Sequence, residues 1–151
     1  MKLVIQRVRR AEVRVEQREV GAISAGALVL VGVAGGDTQQ DAAYLARKTA
    51  MLRIFADKDG RMNEAIDAVN GAYLVVSQFT LYGDCKKGNR PSYIDAAEPD
   101  EGKAGYEAYL AALKEFGHRV ETGEYQAEMI VSSENDGPVT LILESRGRRI
   151  P

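Results

Sequence analysis

With 151 residues, 45% of them hydrophobic, the chain is long enough to bury roughly two-thirds of its unfolded surface in one core. Charged residues make up 28%, with 20 basic against 22 acidic side chains and a net charge of −2, which excludes a disordered polyelectrolyte and a globally basic nucleic-acid binder but leaves room for a local basic patch. A single cysteine, Cys85, forms neither an internal disulfide nor a cysteine-rich metal site and suits a reducing, cytoplasmic compartment, and no apolar run approaches the ~18 residues of a membrane span.

Leu3 to Arg9, followed by Ala11, Val13 and Val15, alternates apolar and polar residues with the period of a half-buried strand, and Gln17-Arg18 turns it toward Val20–Ile23. Ala27–Val33 is a continuous apolar run rich in β-branched residues and bounded by glycine, the pattern of a buried central strand. Gly35-Gly36-Asp37 then supplies a turn and a candidate N-cap for a helix near residues 38–52, whose alanines and leucines recur at helical spacing. Arg53-Ile54-Phe55 reads as a short strand stopped by Asp57-Lys58-Asp59-Gly60, and Asn70-Gly71 turns the chain into a second buried strand, Ala72–Phe79.

Residues 83–99 carry Gly83, Gly88, Pro91 and Pro99 among charges and read as a long loop, a length that points to function or mobility. Tyr106, Tyr109, Leu110, Leu113 and Phe116 define an amphipathic helix closed by Gly117. Two further strands, Ala127–Ser133 and Val139–Ser145, are joined through Asn135-Asp136-Gly137-Pro138. The expected fold is α/β: a curved, mixed and mostly antiparallel sheet, barrel-like, with two main packing helices. The expected organisation is one domain over residues 1–145 and a basic tail over 146–151.

Ser77-Gln78-Phe79-Thr80-Leu81 places two hydroxyls and an amide at the end of an apolar strand. Period two sends Ser77 and Phe79 to one face and Gln78 and Thr80 to the other, so one pocket would need main chain as well as side chains; ordinary strand-end hydrogen bonding is the plainer reading. Gly137-Pro138 is a turn by composition, and a cis bond there would aim successive carbonyls in one direction, which suits an ammonium group. His118, the single histidine, sits where a cation favours a helix C-terminus, and no G-x-S-x-G elbow presents Ser77 as a nucleophile. With one His and one Cys a metal site is poorly supported, and Asp57-x-Asp59-Gly60 lacks the continuation of a calcium loop. Gly32-x-x-Gly35-Gly36 matches no nucleotide fingerprint. Lys86, Lys87 and Arg90 lie near Tyr82 and Tyr93, a combination able to meet phosphates and stack on a base.

Together, Ile5-Gln6-Arg7-Val8, Ser77-Gln78-Phe79-Thr80-Leu81, Lys87-Gly88-x-Arg90-Pro91-Ser92 and Asn135-Asp136-Gly137-Pro138-Val139-Thr140 resemble the D-aminoacyl-tRNA deacylase family across essentially the whole chain. Phe79 and the Asn-Asp-Gly-Pro-Val-Thr run are similar to the chirality-checking branch of that family. The resemblance implies a homodimer in which Gly137-Pro138, with a cis peptide, enters the partner's active site and excludes L residues, Arg7 orients that motif, and Ser77, Gln78, Phe79 and Thr80 line the ester pocket. It further implies that Met129 borders the terminal adenosine and that glycyl-tRNA is accepted; with tRNA as substrate, the loop cations Lys86, Lys87 and Arg90 are the expected phosphate contacts. No cofactor and no metal are expected. The implied reaction is hydrolysis of the D-aminoacyl ester, assisted by the ribose 2′-hydroxyl with main-chain N–H groups near Phe79 and Thr80 holding the oxyanion. The alternatives are a non-catalytic tRNA 3′-end-binding module and an esterase using Ser77 or Thr80 with His118.

Overall fold

β1 (Lys2–Val15) is the strand on which the sheet is assembled. On one edge it pairs antiparallel with β3 (Gly26–Gly32) and then β2 (Arg18–Ile23), and the register runs straight across Ser24-Ala25, from Val8–Gly26 to Ala11–Ile23. On its other edge it pairs antiparallel with β8 (Ile130–Glu144) over almost its whole length. The computed structural model describes residues 1–147, so residues 148–151 of the basic tail lie outside the described residues.

From β3 the sheet continues through parallel pairings to β6 (Ala72–Ser77) and then β7 (Arg119–Thr122). It curls until β7 meets β2: Arg119 Nη2 donates to the Ala22 carbonyl at 3.4 Å, and a Cβ at Gly21 would stand 2.4 Å from the Thr122 carbonyl oxygen. Six strands thus form a mixed, nearly closed barrel-like sheet, the expected architecture. A small hairpin, β4 (Phe55–Ala56) and β5 (Met62–Glu64), stands apart. Its turn is held by Asp57, whose Oδ1 accepts the N–H groups of Asp59 and Arg61 at 2.9 and 3.0 Å, bonds that hold its carboxyl below the ordinary aspartate pKa.

The continuous apolar runs of β3 and β6 are buried on both faces. Val29, Val31, Tyr73 and Val75 pack under helices α1 (Gln39–Ala50) and α2 (Pro99–Lys114), while Leu28, Leu74 and Val76 join Val8, Val13 and Ile23 inside the barrel. Buried tyrosines fasten the helices through their polar ends: Tyr109 donates to Thr49 Oγ1 at 2.9 Å and Tyr106 to the Val75 carbonyl at 2.9 Å. Burial pushes both phenols well above their ordinary pKa, so they remain donors.

Three local expectations change. The N-cap of α1 is Thr38, not Asp37, because Thr38 and Asp41 form a reciprocal capping box, while Asp37 accepts from the Ala34 N–H at 2.7 Å and pairs with the Met1 α-amino group at 2.5 Å. Helix α2 begins two turns before the apolar periodicity, at Pro99, where proline at N1 with Asp100 and Glu101 in the first turn is its own start signal. It ends at Lys114 with Glu115 as cap, and Gly117 turns the chain beyond it at φ +80°. The two C-terminal strands are one, β8, interrupted by a bulge instead of a turn.

Gly21→Ala should lower the unfolding free energy by about 1–3 kcal/mol in a urea titration, because the added methyl meets backbone across the barrel seam. An unchanged midpoint would mean that the seam has slack.

Candidate active site

Strand β6 ends at Ser77, and the chain winds into a 3-10 turn over Phe79–Tyr82. The Gln78 N–H donates to the Val31 carbonyl at 2.7 Å and the Leu81 N–H to the Gln78 carbonyl at 3.2 Å. This turn overrides the period-two expectation: Ser77, Gln78 and Phe79 all line one groove of ≈ 640 Å³, whereas Thr80, expected with them, is exposed and does not line it, its Oγ1 accepting from the Gln78 amide. The N–H groups of Phe79 and Thr80 open the 3-10 turn, where helical geometry offers no acceptor.

The facing wall comes from residues that the sequence patterns did not single out for a site. Pro99, Gly102 and Tyr106 of α2 line it with Tyr125 and Gln126. Tyr125 donates to the Pro99 carbonyl at 3.0 Å and its ring lies 5.8 Å from that of Tyr106. Tyr106 carried a legible helical periodicity, but nothing local distinguishes a core tyrosine from one that also floors a groove. Met129 closes the end, half-buried and packed on the interior core cluster, with Val131 of β8 beyond it.

Gly137-Pro138 lies elsewhere. Between the pairs Gln6–Thr140 and Val8–Asn135, one residue of β1, Arg7, opposes four of β8, Asp136 to Val139, so these four bulge from the ladder. The Gly137-Pro138 peptide is cis. Asn135 straps the bulge, its Oδ1 accepting from the Val139 N–H and its Nδ2 donating to Thr140 Oγ1, both at 2.9 Å. Arg7 shares the β1 face of Leu3 and Ile5; its Nε donates to the Asp136 carbonyl at 3.1 Å and its Nη1 to the Ile54 carbonyl at 2.6 Å. Val131, on the groove, pairs with Val13, whereas Asn135 pairs with Val8, a separation of five residues of β1 or roughly 16 Å. Within one chain the two motifs do not meet.

The remaining candidates separate in the same way. Lys86, Lys87 and Arg90 are exposed on a loop closed by mutual N–H···O bonds between Asp84 and Ser92 at 2.8 and 2.9 Å, with Cys85 exposed beside them. Tyr93 follows that closure and lines the groove, whereas Tyr82 turns away and takes Lys2 Nζ over its ring at 5.2 Å. His118 lies edge-on to Tyr73 at 5.6 Å, with Asp67 3.6 Å from its Nδ1, instead of capping α2. The Ala72–Arg119 pairing sets it beside the start of β6, five residues and roughly 16 Å from Ser77, beyond reach of either hydroxyl. The Gly36 N–H is taken by Glu101 Oε1 at 2.8 Å, where a phosphate-binding turn would leave it open. Among the described residues no group of three or more His, Cys, Asp or Glu side chains is placed to hold a metal ion, and no helix is long and apolar enough to cross a membrane.

A barrel-like sheet with a hydroxyl- and amide-bearing groove at the end of β6 and an arginine-held bulge in β8 defines a class with known members. The profile of the D-Tyr-tRNA(Tyr) deacylase family matches residues 4–144, and the chain belongs to that family of hydrolases. It is 54% identical to the D-aminoacyl-tRNA deacylase of Thermotoga petrophila, over 96% of this chain and 97% of that one, and 56% identical to that of Heliobacterium modesticaldum, over 97% and 98%. Among solved structures, one titled c-Myc DNA Unwinding Element Binding Protein superposes with a TM-score of 0.89 at 37% identity, over 96% of this chain and 99% of that one. A probable eukaryotic D-amino acid tRNA deacylase shares the fold with a TM-score of 0.79 at 15% identity, over 94% and 97%.

Gly137→Ala should lower the melting temperature by roughly 2–12 °C, the cost of a side chain at an unfavourable φ in a domain of this size. The φ is +124°, and the new Cβ would stand 2.8 Å from Arg7 Nη2 and 2.9 Å from Val139 Cγ2. Differential scanning calorimetry checks it, and an unchanged transition would mean that the Arg7 clasp is loose.

Proposed function

We propose that this chain hydrolyses the ester between a D-amino acid and the 3′-terminal ribose of tRNA, releasing both, and leaves L-aminoacyl-tRNA intact. The observation that carries the reading is the groove itself, in which Ser77, Gln78 and Phe79 stand on one wall with Met129 at the end, in a chain that belongs to the deacylase family. Lacking a histidine within reach, the Thr80 hydroxyl is a weak nucleophile, so the chemistry rests on positioning: water is activated with help from the ribose 2′-hydroxyl, and the main-chain N–H groups of Phe79 and Thr80 stabilise the oxyanion. Lys86, Lys87 and Arg90 contact tRNA phosphates.

Chirality is read across a homodimer. Gly137-Pro138 does not line the groove of its own chain, and β8 offers an open 15-residue edge with Ile130 70% and Ile142 65% exposed, a surface suited to a second copy. The partner's Gly137 and Pro138 carbonyls hold the substrate ammonium and leave no room for an L side chain, so selection is by exclusion. Glycine has no side chain to exclude, and glycyl-tRNA mischarged on tRNA(Ala) passes as a substrate.

The test is the release of labelled tyrosine from D-tyrosyl-tRNA and L-tyrosyl-tRNA at catalytic protein concentration, against spontaneous hydrolysis. Only the D ester should be consumed quickly, and His118→Ala should hold that rate within about twofold, since a group remote from the reaction contributes little. Equal consumption of both esters would remove the chiral role of Gly137-Pro138. Stoichiometric binding without turnover would favour a 3′-end-binding module, and loss of activity in His118→Ala would favour the serine or threonine esterase.

A further inference from the structure

The deacylase reading uses the main chain at Phe79 and the inner walls of the groove, but not the exposed aromatic rings at its outer lip. Phe79, 58% exposed, and Tyr93, 39% exposed, both line the groove and yet stand in water, with Ile94, 89% exposed, next to them. The two rings meet edge to face, with centroids 5.1 Å apart and planes at 69°. Their placement is built into the backbone. Tyr93 directly follows the Asp84–Ser92 closure, and Gly83 leaves space for it, since a Cβ at Gly83 would lie 3.1 Å from Tyr93 Cε1 and 3.1 Å from the Thr80 carbonyl oxygen.

The loop which that closure ties off carries Lys86, Lys87 and Arg90. Elsewhere on the surface Arg9, Arg10, Arg14, Arg18 and Arg119 are each neutralised by a carboxylate within 3.3 Å, while Arg47, Lys58, Arg61 and Lys114 have no exposed aromatic pair beside them in sequence. Among the described residues none of the three loop cations has such a carboxylate partner, although Asp84 is close enough for its Oδ1 to accept the Lys86 N–H at 2.8 Å. Exposed aromatic faces beside unneutralised cations form the arrangement that binds single-stranded nucleic acid, bases on the rings and phosphates on the cations.

We propose that the Phe79–Tyr93 lip is a stacking platform for the base of the nucleotide preceding the terminal adenosine, with Lys86, Lys87 and Arg90 on the adjoining phosphates. This rests on the reading that the groove takes the aminoacylated terminal nucleoside. At ≈ 640 Å³ the groove lies within the range of about 300–1,000 Å³ that holds one small ligand, so the preceding nucleotide leaves over the lip. Since every base has a π-face, the platform tolerates any base there and reads a single-stranded end in place of a sequence.

The experiment measures binding, by fluorescence anisotropy, of a short 5′-labelled RNA ending in CCA and carrying no amino acid, and of the same RNA with an abasic penultimate residue. The intact RNA should bind about 5- to 150-fold more tightly, the worth of one stacked base. Tyr93→Phe should keep that ratio; Tyr93→Ala, and Tyr93→Leu, which retains bulk over Gly83, should bring it near one. Lys87→Ala and Arg90→Ala should weaken both RNAs alike and each cut the log–log salt slope by about 0.7. Equal binding of the two RNAs by the unaltered protein, or an undiminished ratio in Tyr93→Leu, overturns the proposal and would leave the patch to a protein partner. Because this readout needs no ester, it fails or succeeds separately from the D-ester assay that judges the deacylase reading.

Discussion

The Arg7 guanidinium is the pin on which the functional part of this molecule turns. It crosses from β1 to hold the Ile54 carbonyl on one side and the Asp136 carbonyl on the other, with the Asp136 carboxylate 3.4 Å from its Nε. Its side chain is only 16% exposed, so these carbonyls satisfy a cation largely withdrawn from water, where an unpaired charge is costly. A flexible ammonium in the same place would lack the planar fork that reaches two separate carbonyls. Four residues of β8 can therefore leave the ladder and still be held in one shape.

That constraint explains why β8 is one strand and not a hairpin. Asn135 and Thr140 bind to each other at the two ends of the bulge, Gln6 Nε2 adds a bond to Thr140 Oγ1 at 3.2 Å, and Val139 is buried in the core, so pairing with β1 resumes in register as soon as the bulge closes. The groove is organised separately, by the end of β6 and the start of α2. One chain thus carries two rigid features on different parts of a nearly closed sheet. In the proposed reading they complete each other only between two copies, along the open edge of β8.

The strands β1, β3 and β6 and helix α1 were legible because burial leaves its mark on the residues: alternation in β1, which changes phase only around Val8, continuous apolar runs in β3 and β6, and a helical period in α1. The opening turns of α2 were not, because Pro99, Asp100, Glu101 and Lys103 are exposed and the one buried position among them, Gly102, has no side chain to carry an apolar period; only the proline and the acidic first turn mark them. In β8 the turn-forming composition of Asn135-Asp136-Gly137-Pro138 outweighed the continuity of the flanking strands, since nothing local reveals that Arg7, far away in sequence, holds these residues as a bulge. The Ser77–Thr80 segment was legible as a candidate through its residue types. Its geometry was not, because a 3-10 turn and not a strand brings Ser77, Gln78 and Phe79 to one wall. Tyr125 and the Ile54 carbonyl leave no trace in spacing or composition, as their roles arise from tertiary contact alone.

The claim on which the account depends is that a groove and a Gly137-Pro138 bulge from different copies form one site, and mixed dimers test it most directly. A chain with Gln78→Ala and a chain with Gly137→Ala, differently tagged, are refolded together and the doubly tagged species is isolated. Each mixed dimer then contains one composite site with both features intact and one with neither. The account requires selective D-tyrosyl-tRNA hydrolysis by the mixed dimer at about half the rate of the unaltered dimer, one intact site in two, although neither parent shows it. A mixed dimer that shows only the average of its two parents would contradict the account.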